Sequence, residues 1–171
     1  MHGCVERRGK VNITIDWQEP VRLTQFRQVV IDRDKLPEEI NNLAGVYFFS
    51  RKFGDKYEPF YIGQTLTLRS RLKSHLGTIN LDYVLREVEY APIQIKTGER
   101  YFHYGYYRSS SMERTRKCLK IVEKYLVRTA LAEECILLNK KLTAFKTDQL
   151  TFLGTSKARG MYPKEALVEA G

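Results

Sequence analysis

A small α+β domain is the fold class this sequence predicts, on three observations. Two aromatic and β-branched runs, Gly45-Val46-Tyr47-Phe48-Phe49 and Pro59-Phe60-Tyr61-Ile62-Gly63, flank a polar stretch holding Gly54-Asp55, the pattern of a β-hairpin with a longer loop. Directly after them, Leu68, Leu72 and Leu76 recur at helical spacing. The 171 residues are 43% hydrophobic and 29% charged, enough for one domain with its own core.

The remaining elements follow in order. Val11-Asn12-Ile13-Thr14-Ile15-Asp16-Trp17 alternates with period 2 and predicts a strand. A less regular stretch leads to LPEEINNLAG, where Pro37 suits the first turn of a helix and Gly45 breaks it. The leucine helix is expected to start near Thr65 or Thr67. After Gly77, EVEYAPIQIK reads as a strand interrupted at Pro92. An aromatic and basic stretch, Arg100-Tyr101-Phe102-His103-Tyr104-Gly105-Tyr106-Tyr107-Arg108, comes next. Ser110 and Glu113 have capping-box spacing ahead of a helix carrying Leu119, Val122, Leu126 and Ala130, with a break before ALAEECILLN. From Lys140 the sequence is mixed and ends in a loose tail.

Charge and cysteine usage narrow the function classes. Lys and Arg number 29 against 20 Asp and Glu, a net charge of +9. Counterion release rewards such a surface when it meets nucleic acid, although charge for solubility alone is equally open. Cys4, Cys118 and Cys135 are widely spaced and make no zinc pattern, so they read as reduced thiols, two of them packed in helices. His2, His75 and His103 are too scattered to complete a metal cluster with them. MHGCVERRGK lacks the apolar run of a secretory signal, and no segment is long and apolar enough to span a bilayer. A cytoplasmic protein without a membrane partner is the default expectation.

Gly45-Val46-Tyr47 followed by Tyr61-Ile62-Gly63 resembles the paired tripeptides of the GIY-YIG nucleases. Arg71 lies ten residues after Tyr61 and His75 fourteen after, where that family places an arginine and, in many members, a histidine. Ile121-Val122-Glu123-Lys124-Tyr125-Leu126-Val127 resembles its metal-binding glutamate helix, and Asn139 its core-closing asparagine. The resemblance runs over residues 45–139. It implies a central, mainly antiparallel three-stranded sheet flanked by helices, and hydrolysis of phosphodiester bonds. The implied catalytic core spans about residues 43–140, with elaborations at 1–42, 78–112 and 141–171.

The residue types suit that chemistry. Hydrolysis must neutralise a crowded phosphate, deprotonate a water and stabilise a leaving alkoxide. Arg71 offers a fixed planar cation for a phosphate oxygen. Glu123 offers a hard oxygen ligand to one Mg²⁺ or Mn²⁺ ion, since Mg²⁺ keeps several waters and needs few protein ligands. Tyr47, Tyr61 and His75 offer proton-transfer groups. A motif tyrosine is the family's proposed general base, which points to Tyr47 aided by His75. A phenol begins near pKa ~10, so nearby positive charge from Arg71, Lys73 or the metal is expected to assist it.

Helix geometry places Arg71 and His75 on one edge of the leucine stripe, and Arg69 and Lys73 on the other. The family spacing selects the first edge, with Lys73 in reserve. Plainer readings stand beside these. Tyr47 and Tyr61 can be strand aromatics, Arg71 a solvated cation and His75 a histidine near a helix end. Glu123 can pair with Lys120 or Arg116, while Glu133 and Glu134 compete for the metal role. Asn139 can be a helix cap or a core hydrogen bonder.

The sequence departs from the family pattern in two places. Tyr47 and Tyr61 are separated by 13 residues, a little longer than is typical, and the polar turn is expected to absorb the excess. Residues 78–112 are long for the core and rich in Tyr, Arg and Lys, which suggests a DNA-gripping insertion. Arg69, Arg100, Tyr104, Tyr106 and Arg108 are the candidate contacts, with a solvated aromatic hairpin as the alternative. Second-nuclease, homing-linker and zinc-binding modules of other subfamilies have no counterpart. What remains resembles a type II restriction endonuclease of this superfamily from a prokaryotic or phage-encoded setting. Cutting both strands of double-stranded DNA favours a homodimer at least on the substrate, with no zinc required.

Overall fold

The computed structural model describes residues 12–26, 28–78 and 97–139, together with the backbone of two strands at 147–151 and 165–169. The strand expected over residues 87–96 lies outside this set, and of the stretch from Lys140 only the backbone of those two strands belongs to it.

Two long strands carry the paired tripeptides. Strand β5 (Gly45–Phe53) and strand β6 (Lys56–Thr65) form an antiparallel ladder. Only Gly54 and Asp55 connect them, with Gly54 at φ +62°, a left-handed conformation suited to glycine. The longer loop expected here is therefore a correction. Arg51, Lys52 and Glu58 extend the ladder instead, and Arg51 Nε donates to Glu58 across the strands at 2.6 Å. A bulge after Phe49 leaves Phe60 as the extra residue on β6.

The aromatic, basic stretch is where the sequence misleads most. It forms strand β7 (Glu99–Tyr106), which pairs along the whole of β5 from Gly45↔Tyr106 to Lys52↔Glu99. Strands β1 (Asp16–Trp17) and β2 (Val21–Arg22) add to its other edge. The sheet therefore runs β1/β2-β7-β5-β6, all antiparallel where paired. The three-stranded centre is present, and the N-terminal segment extends it. Strands β3 (Thr24–Gln25) with β4 (Gln28–Val29), and β8 (Thr147–Thr151) with β9 (Glu165–Glu169), make two small separate ladders.

One helix lies on each face of the sheet, and alternation along β5 decides what each meets. Tyr47 and Phe49 point to a core shared with Phe60, Phe102, Tyr104, Tyr106 and the leucines of helix α1 (Leu68–Leu76). Leu68 and Leu72 are fully buried there, as their stripe predicts. Val46 and Ile62 instead meet helix α2 (Met112–Ala132) through Cys118, Leu119, Val127 and Ala130.

Three further expectations are corrected. LPEEIN forms only a turn, with Ile40 N–H bonded to the Pro37 carbonyl at 3.3 Å. The cap of α2 is Ser111, whose hydroxyl accepts from the Arg114 amide at 3.3 Å, one residue beyond the capping-box reading. That helix runs unbroken to Ala132, and the chain then turns at Glu133 and Glu134, so Cys135 is not helical while Cys118 is. Among the described residues no helix is long and apolar enough to cross a membrane.

Candidate active site

Tyr47 sits mid-strand on β5, on the α1 face, directly opposite Gly63 of β6. A Cβ at Gly63 would lie 2.6 Å from Tyr47 Oη and 2.7 Å from its Cζ. The second tripeptide's glycine is thus the space in which the first tripeptide's phenol lies. Gly45 permits a different close approach, since a Cβ there would fall 2.2 Å from the Gly105 carbonyl oxygen and 2.6 Å from Leu68. Both glycines are explained by packing between strands and helix.

The ring of Tyr47 carries its hydroxyl to the edge of α1. Tyr47 Oη lies 2.8 Å from His75 Nε2, and Arg71 Nε donates to it at 3.1 Å. One turn of helix separates Arg71 from His75, so both reach a single phenol. Tyr61 stacks parallel to Tyr47, with ring centroids 6.3 Å apart, and presents its face or edge to His75 at 5.0 Å. Phe49 contributes a third ring at 5.3 Å from His75. Sequence reading missed Phe49, although its position two residues from Tyr47 on the same strand face was the available signal.

The electrostatics follow from this packing. Burial lowers the His75 pKa to about 4, and the Arg71 charge adds to the effect. His75 is therefore neutral at pH 7. The Arg71 N–H occupies one acceptor position on Tyr47 Oη, and in the His75 tautomer protonated at Nδ1 the ring Nε2 accepts the phenol proton. Burial pushes Tyr47 well above the ordinary tyrosine range, and the Arg71 hydrogen bond and charge oppose this without overcoming it. Arg71 thus assists the phenol as expected, but in the free protein burial outweighs it. Lys73 gives no help, because its ammonium pairs with Asp34 at 3.0 Å, away from the phenol.

Glu123 projects from α2 toward the end of β6. Burial raises its carboxyl pKa, while the Gln64 backbone amide, Lys120 and Arg71 pull it down. These influences join the α2 side of the sheet to the α1 side around one strand end. Among the described residues Glu123 forms no ion pair within 4.0 Å. Its rivals Glu133 and Glu134 are elsewhere, lining a cavity of about 300 Å³ with Arg51, Lys56 and Glu58. No group of three His, Cys, Asp or Glu side chains suited to a metal occurs among the described residues. A lone half-buried carboxylate within electrostatic reach of Arg71 would suit an ion whose other ligands are waters, not a prebuilt protein cage.

Asn139 closes the edge of β6. Its Nδ2 donates to the Ile62 carbonyl at 2.8 Å, and its Oδ1 accepts from the Ile62 amide at 3.3 Å. Leu138 N–H reaches the Phe60 carbonyl at 2.7 Å beside it. One side chain therefore substitutes for a neighbouring strand at the centre of Tyr61-Ile62-Gly63.

Most of the expected DNA contacts face inward. Arg69 donates to the carbonyls of Leu36, Pro37 and Ile40 and so anchors the preceding loop. Arg100 is fully buried, donates to the Thr97 and Gly98 carbonyls and lies over the Phe60 ring. Tyr104 and Tyr106 are core residues. Burial raises the Tyr104 pKa to about 12, and the Tyr106 hydroxyl accepts from the Asn41 amide and lies within bonding distance of the Glu39 carbonyl. These four are corrected from surface contacts to structural residues, and only Arg108 remains exposed. No protein-family model, curated protein or solved structure matches this chain.

Proposed function

We propose that this chain is a metal-dependent nuclease of the GIY-YIG type that hydrolyses DNA phosphodiester bonds. The observation that carries the reading is the hydrogen-bonded chain Arg71–Tyr47–His75, built at the predicted spacing and made possible by Gly63. Ordinary strand aromatics need neither a buried hydroxyl between two helix side chains nor a glycine beneath the ring. The nearness of Glu123 to Arg71 adds the carboxylate that the chemistry requires.

The arrangement suits phosphoryl chemistry step by step. Arg71 donates Nε to Tyr47 and its guanidinium also lies against Tyr61; a phosphate oxygen would be met by its terminal nitrogens. The phosphate offsets the Arg71 charge that helps lower His75, so substrate binding makes the imidazole a better base. An attacking water gives its proton to Tyr47 Oη as the phenol proton passes to His75 Nε2. The new P–O bond forms as the P–O bond to the leaving sugar oxygen breaks. Glu123 would hold one Mg²⁺ or Mn²⁺, whose charge when bound neutralises the phosphate and the leaving oxygen. Tyr61 packs beside the phenol and keeps its orientation fixed.

The finer proposal is a site-specific type II restriction enzyme acting on double-stranded DNA inside a prokaryotic or phage-infected cell. Two phosphodiester bonds per site favour a homodimer on DNA, and the chemistry asks for no zinc. Digestion of long duplex DNA with and without Mg²⁺ tests both levels. Discrete metal-dependent fragments support the restriction enzyme. A smear supports a phage or mobile-element nuclease of relaxed specificity, and binding without cutting leaves a non-catalytic nucleic-acid module.

A further inference from the structure

The inward-facing residues of β7 leave the DNA-contacting surface open, and α2 offers one. Residues four and seven apart on a helix share a face, so Arg116, Lys120 and Glu123 form one stripe. Burial of Leu119, Val127 and Ala130 fixes how the helix is turned on the sheet. Glu123 then falls at the border of the buried face, and Arg116 and Lys120 lie beside it in solvent. Lys120 is close enough to Glu123 to lower its carboxyl pKa. Lys117 widens the ridge, and Glu113 is the sole exposed acid on the helix. None of Arg116, Lys117 and Lys120 is held in an ion pair among the described residues.

We propose that the Arg116–Lys120 ridge of α2 is a track for the sugar–phosphate backbone of duplex DNA, leading into the site of Glu123 and Arg71. The step from Arg116 to Lys120 advances about 6 Å and that from Lys120 to Glu123 about 4.5 Å, so the two cations and Glu123 form a line and not a single point charge. A linear polyanion matches that line in charge and shape. A surface used only for solubility has no reason to align its cations with a half-buried carboxylate. The inference rests on the nuclease reading for what lies at the end of the track, but not for the binding itself.

The test is fluorescence anisotropy with a labelled 20-base-pair-scale duplex, run in EDTA so that nothing is cut, over a series of salt concentrations. The double variant R116Q/K120Q removes two charges from exposed positions and keeps good helix formers. Two lost phosphate contacts should reduce the slope of log affinity against log salt by about 2, since each contributes ~0.9. A matched control, K35Q/K56Q, removes the same charge from exposed positions off the helix. The expected result is a reduced slope for the α2 variant and a near wild-type slope for the control. An unchanged slope, an equal loss in both variants, or tighter wild-type binding to anionic vesicles than to DNA would overturn the track. Cleavage is scored separately with Mg²⁺. Binding along the ridge without cutting would defeat the nuclease reading and keep the track, and cutting with an unchanged slope would do the reverse.

Discussion

Replacing Gly63 by alanine perturbs the site through a single methyl group. The added Cβ would sit 2.6 Å from Tyr47 Oη, about 0.8 Å short of the 3.4 Å at which ordinary contact begins. Tyr47 is only 1% exposed and is walled by Phe49, Tyr61, Phe102 and His75, so the ring has little room to yield. Overpacking of this kind costs about 1–3 kcal/mol, and losing the bond to His75 or Arg71 adds ~1 kcal/mol. For a chain of this size the melting temperature should fall by roughly 10 °C. Activity should fall further, because a 1 Å displacement of a catalytic group can cost about 10²-fold. Thermal unfolding and a DNA-cleavage time course read the two effects. Gly54→Ala is the control, because no atom lies within 4 Å of its Cβ and only its φ of +62° is strained. That strain costs about 1–2 kcal/mol and leaves the site untouched. A Gly63→Ala protein that melts like wild type and cuts within threefold of it would refute the packing argument.

Other perturbations test separate parts of the account. Glu123→Gln should abolish Mg²⁺-dependent cleavage while leaving the melting temperature unchanged or slightly higher, because a half-buried charge is removed; retained cleavage would move the metal role elsewhere. Asn139→Ala leaves the Ile62 amide and carbonyl without partners and should cost about 1–3 kcal/mol in urea denaturation, whereas a loss below ~0.5 kcal/mol would show that the edge of β6 needs no side-chain partner. His75 and His103 are both held near pKa 4, below the unfolded value of 6.5. The unfolded chain therefore binds protons first, and stability present above pH 6.5 drains away as pH falls toward 4. Each histidine contributes up to about 3 kcal/mol, and a urea midpoint that stayed level from pH 7 to 4.5 would contradict their burial.

The parts of the fold legible in the sequence are those whose pattern answers to local geometry. Leu68, Leu72 and Leu76 mark one face of α1 because that helix has one buried side. The aromatic runs of β5, an inner strand, and of β6, at the sheet's edge, stand out because the sheet carries a helix on each face. Strand β7 escaped because Arg100 stands in the core with its charge satisfied by backbone carbonyls, an arrangement that only tertiary structure provides. The turn at LPEEIN likewise depends on distant partners. Arg69 takes the carbonyls of Leu36, Pro37 and Ile40, so these do not serve a helix. In the candidate site, helix geometry left both edges of α1 open and only the family resemblance pointed to Arg71 and His75 over Arg69 and Lys73; it is Arg71 and His75 that meet at Tyr47. The direction of the Tyr47 pKa was not legible, because it depends on how completely Phe49, Tyr61 and Phe102 enclose the ring.

The central claim is that the Arg71–Tyr47–His75 chain performs phosphodiester hydrolysis. Its most direct test is the Mg²⁺-dependent cleavage of duplex DNA by wild type beside Tyr47→Phe, with both proteins shown to be folded. Tyr47→Phe removes one hydroxyl and keeps the ring over Gly63. The account predicts cleavage by wild type and a loss of at least about 10²-fold in the variant, within the range expected of general acid–base catalysis. Equal cleavage by the two proteins would contradict the assigned role of Tyr47, and no cleavage by wild type in Mg²⁺ or Mn²⁺ would contradict the nuclease itself.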